Sequence, residues 1–252
     1  SPHSTCTPQT DKNYHYIPTN MACPKCFALG DKQSGDVKGK LTTYAGYDAY
    51  ITGAENKDVA IIYNTDVWGC RLLNHQLNAD QFSDKFFVVI PEILNDAMDS
   101  TDPNALAGIK DWLKRNSLDH ATEVAKKVVD QLRKDGFKKV IGLGFCYGAR
   151  MVIDLANAKL IDQGAVFHAS FLSVDDISGL KASGVPILFN CAENDGAFTT
   201  EMRLAYEAEV KGQCEFIVYP NQDHGFAARP KGEEAHQQRE AAIANTYKYL
   251  TQ

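Results

Sequence analysis

The chain has 252 residues, 44% hydrophobic and 23% charged, the balance of an ordinary globular protein with enough apolar material for one large core. A net charge of −6, with lysines dispersed among acidic residues, gives no electrostatic footing for nucleic acid or an anionic membrane. No run approaches the roughly 20 apolar residues needed to cross a bilayer.

Residues 1–38 are rich in Pro, Thr, Asn, Asp, Gly and Lys without periodicity and read as an irregular N-terminal arm, leaving 39–252 as a single α/β domain. The arm holds Cys23-Pro-Lys-Cys26, a spacing used by redox dithiols and half zinc sites. No second Cys-x-x-Cys or His-x₃₋₅-His accompanies it, so a disulfide or two free thiols is the expectation and no metal is implied. The cysteines, at 6, 23, 26, 70, 146, 191 and 214, are odd in number and widely spread, unlike a secreted disulfide scaffold. With no Asn-x-Ser/Thr acceptor in the chain, the expectation is a soluble, cytoplasmic protein; secretion stays open because Ser1 can follow a removed leader.

Residues 41–52 alternate around Gly46 and predict an antiparallel hairpin. Residues 58–66 and 86–91 read as buried strands, with helical spacing over 71–82 between them. Helices are predicted over 105–115 and 120–134, the second carrying Val124, Val128, Val129 and Leu132 as one apolar stripe. Residues 139–145 form the next β-branched run, followed by a helix over 149–158. Strands over 165–172, 185–191 and 214–219 alternate with helices over 199–211 and 233–250. Such alternation builds βαβ units: an α/β fold with a mainly parallel sheet covered by helices on both faces, its ligands at the carboxyl ends of the strands.

Between strand and helix stands Gly144-Phe-Cys-Tyr-Gly148. It has the layout of the Gly-x-Ser-x-Gly nucleophile elbow of α/β-hydrolases, with cysteine as nucleophile. A helix starting there aims its dipole and free N–H groups at Cys146, which favours thiolate, and offers the Tyr147 N–H as half of an oxyanion hole. The competing reading is a buried structural cysteine in a Gly-bracketed turn. A nucleophile needs a base, and the base a carboxylate. Of the histidines after Cys146, His168 sits within an apolar run and reads as mid-strand core, and His236 sits among Gln and Glu of the closing helix. His224 falls in a polar, Gly-containing loop after a strand. Asp195 occupies the equivalent loop one strand earlier, with Glu193 and Asp223 as competitors.

Gly144-Phe-Cys-Tyr-Gly148, Asn194-Asp195 and Asp223-His-Gly-Phe226 resemble the three signature segments of the dienelactone hydrolase (carboxymethylenebutenolidase) family, over about Met21 to Leu250. The segment Met21-Ala-Cys-Pro-Lys-Cys26 is similar to the family's fungal branch. The resemblance implies the α/β-hydrolase fold and a Cys146–His224–Asp195 triad that opens a lactone or activated ester through an acyl-cysteine, with no cofactor, acting as monomer or homodimer. Asp66-Val67-Trp68-Gly69 matches the family's acidic segment after an early strand. By that match Asp66 serves the thiol and substrate, the Val67 N–H joins that of Tyr147 as oxyanion donor, and Trp68 lines the acyl pocket. Arg229 resembles one of two arginines that bind a substrate carboxylate, with Lys114 or Arg115 as candidates for the other. Broader carboxylesterase or glycan-directed activity, and a non-catalytic binding role, are the alternatives.

Overall fold

The computed structural model describes residues 30–54, 58–102 and 104–252. Cys23 and Cys26, with the expectation about their pairing, lie outside these. Strands β1 (Lys40–Tyr44) and β2 (Tyr47–Thr52) form the expected hairpin, and β2 runs antiparallel to β4 (Phe87–Pro91). All further pairings are parallel, through β3 (Val59–Asn64), β5 (Lys139–Phe145), β6 (Gln163–Phe167), β7 (Ile187–Asn194) and β8 (Glu215–Asp223). The order across the sheet is β1-β2-β4-β3-β5-β6-β7-β8 among the described residues. The chain moves outward from β3 to β4 and then returns to the other side of β3 as β5. The crevice at the carboxyl ends of β3 and β5 is therefore the topological switch point where such sheets bind ligands.

The alternation of β5 divides the core in two. Ile141, Leu143 and Phe145 pack with α1 (Leu73–Asp80) and α7 (Glu233–Leu250) on one face. Val140 packs with α3 (Leu118–Lys134) and α4 (Gly148–Asn157) on the other, where the predicted stripe of α3 is buried. On the α1/α7 face the rings of Tyr63, Phe145 and Phe167 stack across three neighbouring strands, at 4.7 and 4.1 Å between centroids.

Four boundaries depart from the sequence-based expectation. Residues 105–115 divide into a 3₁₀ turn (Ala105–Gly108) and a short α2 (Ile109–Arg115). Helix α5 (Asp176–Ser183) was not anticipated: only Ile177 and Leu180 are buried along it, too few to show a period. Helix α6 (Thr200–Glu209) begins as expected at Thr199, whose hydroxyl accepts the Met202 N–H. Strand β8 continues past Tyr219 through Pro220, which an edge strand tolerates because one side of its backbone has no ladder to serve. The run 165–172 is strand only as far as Phe167; His168 has φ +37°, so it turns out of the strand, and the run is apolar because it is buried rather than because it is extended. Among the described residues no helix is long and apolar enough to cross a membrane.

Candidate active site

Cys146 is the residue between β5 and α4, and its φ of +52° is a left-handed conformation that costs a non-glycine residue about 1–3 kcal/mol. Surrounding bonds hold it there. Its N–H donates to the Phe167 carbonyl at 3.0 Å, and its own carbonyl accepts from the Ala149 and Ser170 N–H groups at 3.1 and 3.2 Å. The two bracketing glycines are set by close approach. A Cβ at Gly144 would lie 2.5 Å from the Gly148 carbonyl oxygen, and one at Gly148 would lie 2.2 Å from that of Asn64. Gly148 thus lets α4 press against the end of β3, which brings the 64–68 segment beside the elbow. Cys146 itself is only 1% exposed.

Asp195 directly follows β7 and His224 directly follows β8. Both carboxylate oxygens lie 2.9 Å from Nδ1 of His224, so Nδ1 carries the proton and Nε2 is left for chemistry. Asp195 is in turn fixed by the Ala197 and Phe198 N–H groups at 2.8 and 3.2 Å. Burial opposes charge on the imidazole, but the Asp195 carboxylate and then the Cys146 sulfur, through its charge and a side-chain hydrogen bond, lift His224 to about 10. Cys146, His224 and Asp195 thus come together. The competitors do not: Glu193 is spent on the Asn221 N–H, Asp223 is exposed, and His236 pairs with Asp31 at the surface.

Asp66 and Val67 follow β3 at the switch point. The Asp66 carboxylate accepts the Trp68 N–H at 3.0 Å and meets His75 Nε2 at 2.8 Å and Arg229 Nε at 3.4 Å. Among its described bonds none runs to Cys146. Burial alone would raise this carboxyl, yet His75, Arg229 and the Trp68 N–H hold it well below the usual carboxylate range. With Asp66 tying down Trp68, the N–H groups of Val67 and Tyr147 donate to no described residue and remain as donors beside the elbow. His75 Nδ1 meets the Tyr63 hydroxyl at 2.8 Å, while Asn74 and Asn78 on the same buried face of α1 donate to the Ala228 and Ala227 carbonyls at 3.0 Å. Helix α1 therefore joins the Asp66 turn to the segment after His224.

The Arg229 guanidinium lies 5.1 Å from the Trp68 ring centroid, a cation–π contact. Both side chains line a cavity of about 400 Å³, with Leu72, Met98, Lys32 and Arg71, and the buried Trp68 Nε1 has no hydrogen-bond partner among the described residues. Cys146 does not line this cavity. Arg229 also lines a second cavity of about 160 Å³ that His224 borders, so it stands between the two. Lys114 and Arg115 line neither; they pair with Asp111 and Asp96 on the exposed side of α2.

Two residues near the elbow were not anticipated as part of it. His168 stands edge-on to His224, centroids 5.0 Å apart and planes at 70°, and neither of its ring nitrogens has a hydrogen-bond partner among the described residues. Burial first, then His224, drives its pKa well below the ordinary value. The Ser170 hydroxyl lies 3.5 Å from Cys146 Sγ and is fully buried. The available signal was a His and a Ser embedded in an apolar run at the end of a strand next to that of the nucleophile. Among the described residues, no three His, Cys, Asp or Glu side chains converge as a metal-binding group.

Comparison with known proteins places the chain in a family. Residues 47–252 match the profile of the dienelactone hydrolase family. The chain is 26% identical over 218 residues to the hydrolase pyvD of Aspergillus violaceofuscus, covering 84% of this chain and 88% of that one. It is 25% identical over 232 residues to "Dienlactone hydrolase 1" of Gibberella moniliformis, covering 85% of each. The crystal structure of a dienelactone hydrolase from Anabaena variabilis superposes with a TM-score of 0.58 over 83% of this chain and 97% of that one, at 8% identity, a likeness of fold alone. An α/β-hydrolase sheet and a family profile spanning residues 47–252 together establish that the chain belongs to the dienelactone hydrolase family, as a hydrolase of the lactone and ester type.

Proposed function

We propose that the chain hydrolyses enol lactones and activated aryl esters through an acyl-cysteine formed on Cys146. The observation that carries this reading is the bidentate hold of Asp195 on His224 Nδ1, with the Cys146 sulfur acting on the same ring. His224 Nε2 takes the thiol proton and the sulfur attacks the ester carbonyl. The carbonyl oxygen becomes an oxyanion in reach of the Val67 and Tyr147 N–H groups. The C–O bond then breaks, the leaving oxygen takes the proton from His224, and the acyl group stays on sulfur. Water, deprotonated by His224, attacks the thioester and expels the thiolate.

A thiolate is a better leaving group than a simple alkoxide, so a tetrahedral adduct of an alkyl ester mostly returns to starting materials. An enolate or phenolate leaves readily and drives the adduct forward. Arg229, which stands between the larger cavity and the one that His224 borders, binds the carboxylate of such a substrate with Trp68 against its unsaturated body, and Asp66 holds Arg229 in place. Turnover of a panel of enol lactones, aryl esters, alkyl esters and amides by wild type and Cys146→Ala tests the proposal. The first two classes turn over in wild type and lose activity by several orders of magnitude in the variant; full activity of Cys146→Ala refutes the assignment.

A further inference from the structure

The loop after β6 brings a hydroxyl to the nucleophile that the triad does not use. We propose that Ser170 is a catalytic residue that donates a hydrogen bond from its Oγ–H to the Cys146 thiolate, steadying that anion when it forms and when it leaves the acyl-enzyme. This rests on Cys146 being the nucleophile.

The Ser170 hydroxyl is completely buried, and the sulfur at 3.5 Å is its hydrogen-bond partner among the described residues. Its backbone N–H also bonds to the Cys146 carbonyl, so serine and cysteine are fixed to each other at two points. The surrounding backbone is unusual: His168 and Phe171 on either side of the Ala169-Ser170 pair have φ of +37° and +59°, conformations that non-glycine side chains rarely adopt and that cluster at functional sites.

The chemistry explains the use. During hydrolysis of the acyl-cysteine, His224 has just taken a proton from water, and the thiolate must depart while the imidazolium serves the attacking oxygen. A second donor at the sulfur stabilises the departing anion without any transfer of atoms, since Ser170 keeps its proton throughout. The other titratable and charged groups of this neighbourhood are His224 and Asp195 after β8 and β7, His168 after β6, the Asp66–Arg229 pair, and Arg150 of α4, which donates to the Phe171 carbonyl and pairs with Asp154 and Asp176. All remain in place when Ser170 is changed.

The experiment follows carboxamidomethylation of Cys146 by iodoacetamide against pH, quantified on the Cys146 peptide by mass spectrometry, alongside kcat and KM for an enol lactone, in full-length wild type, Ser170→Ala, Ser170→Gly and Ser170→Thr. In Ser170→Ala and Ser170→Gly the alkylation midpoint rises by about one pH unit and kcat falls about tenfold with KM nearly unchanged, the effect of losing one hydrogen bond to a charged group. Ser170→Thr, which keeps the hydroxyl, recovers most of both. An unmoved alkylation profile overturns the proposal even when kcat falls, and so does a shift that Ser170→Thr fails to reverse, which marks altered burial of the sulfur rather than loss of the donor. Activity surviving in Cys146→Ala overturns the parent reading instead, so the two failures are distinct.

Discussion

The imidazoles of His168 and His224 meet edge to face, 5.0 Å between centroids, and their surroundings push them to opposite charge states. Of the two, only His224 is hydrogen-bonded to a carboxylate among the described residues. His168, whose buried ring nitrogens have no hydrogen-bond partner among them, is the neutral member of the pair.

A first expectation is an acid limb in stability that belongs to His168. Its folded pKa is depressed, so below the ordinary 6.5 the unfolded chain binds a proton that the native state refuses. Stability is fully present above about pH 6.5 and falls by about 1.4 kcal/mol per unit below it. Denaturant titrations from pH 7 to 4.5 check this: His168→Gln flattens the limb, and an unchanged slope contradicts it.

His224 acts in the reverse sense. Its folded pKa is raised to about 10, so its contribution is fully present below about pH 6.5 and is lost as pH rises toward 10. In a Cys146→Ser background, which removes the thiol's own titration and the share of the lift that the sulfur supplies, Asp195 still raises His224 and stability falls as pH rises above about 6.5. Adding His224→Gln abolishes that decline; the same decline in the double variant rules the histidine out as its source.

Asp195→Asn keeps the shape of the loop but offers His224 Nδ1 an amide in place of two charged oxygens. The ring loses its preferred tautomer and the support for its charged form, and kcat for an enol lactone falls about 10³-fold with KM little altered. Steady-state kinetics decide it; a loss of less than tenfold is incompatible with the assigned role.

Arg229→Met breaks a buried ion pair from one side, leaving Asp66 with His75 and the Trp68 N–H alone. The side chains are 5% and 0% exposed, so solvent does not replace the lost partner, and the cost is about 3 kcal/mol. KM rises more for esters bearing a carboxylate than for neutral ones. Equal changes for both substrates remove Arg229 from substrate recognition.

Gly148→Ala drives a methyl group to 2.2 Å from the Asn64 carbonyl oxygen, a backbone atom at the end of β3 that cannot move aside alone. The variant is destabilised by about 2 kcal/mol or more and loses activity beyond what stability explains, because the Val67 turn is displaced with it. Chemical denaturation and kcat measured together show both effects or disprove the coupling.

Much of this site was legible in the sequence because each part obeys a local rule. Gly144 and Gly148 bracket Cys146 because backbone approaches backbone there, and Asp195 and His224 follow apolar runs that read as strands. What escaped was long-range or irregular. The bonds from Asn74, His75 and Asn78 to the Asp66 turn and to Ala227 and Ala228 join segments about 150 residues apart or rest on one turn of a weakly amphipathic helix, and neither leaves a periodic trace. His168 and Ser170 were hidden inside an apolar run, where burial under the site imitates an extended strand. Lys32 and Arg71 reach the cavity from an irregular segment and a turn, for which pattern offers no register.

The near-complete enclosure of Cys146 acts as a size filter on every electrophile that approaches it. Any electrophile displaces packed side chains before it meets the sulfur, and the displacement needed is smaller for a thin, planar molecule or a small alkylating agent than for a tripeptide disulfide such as oxidised glutathione. The same shielding weighs against thiol exchange with bulky disulfides and for flat partners.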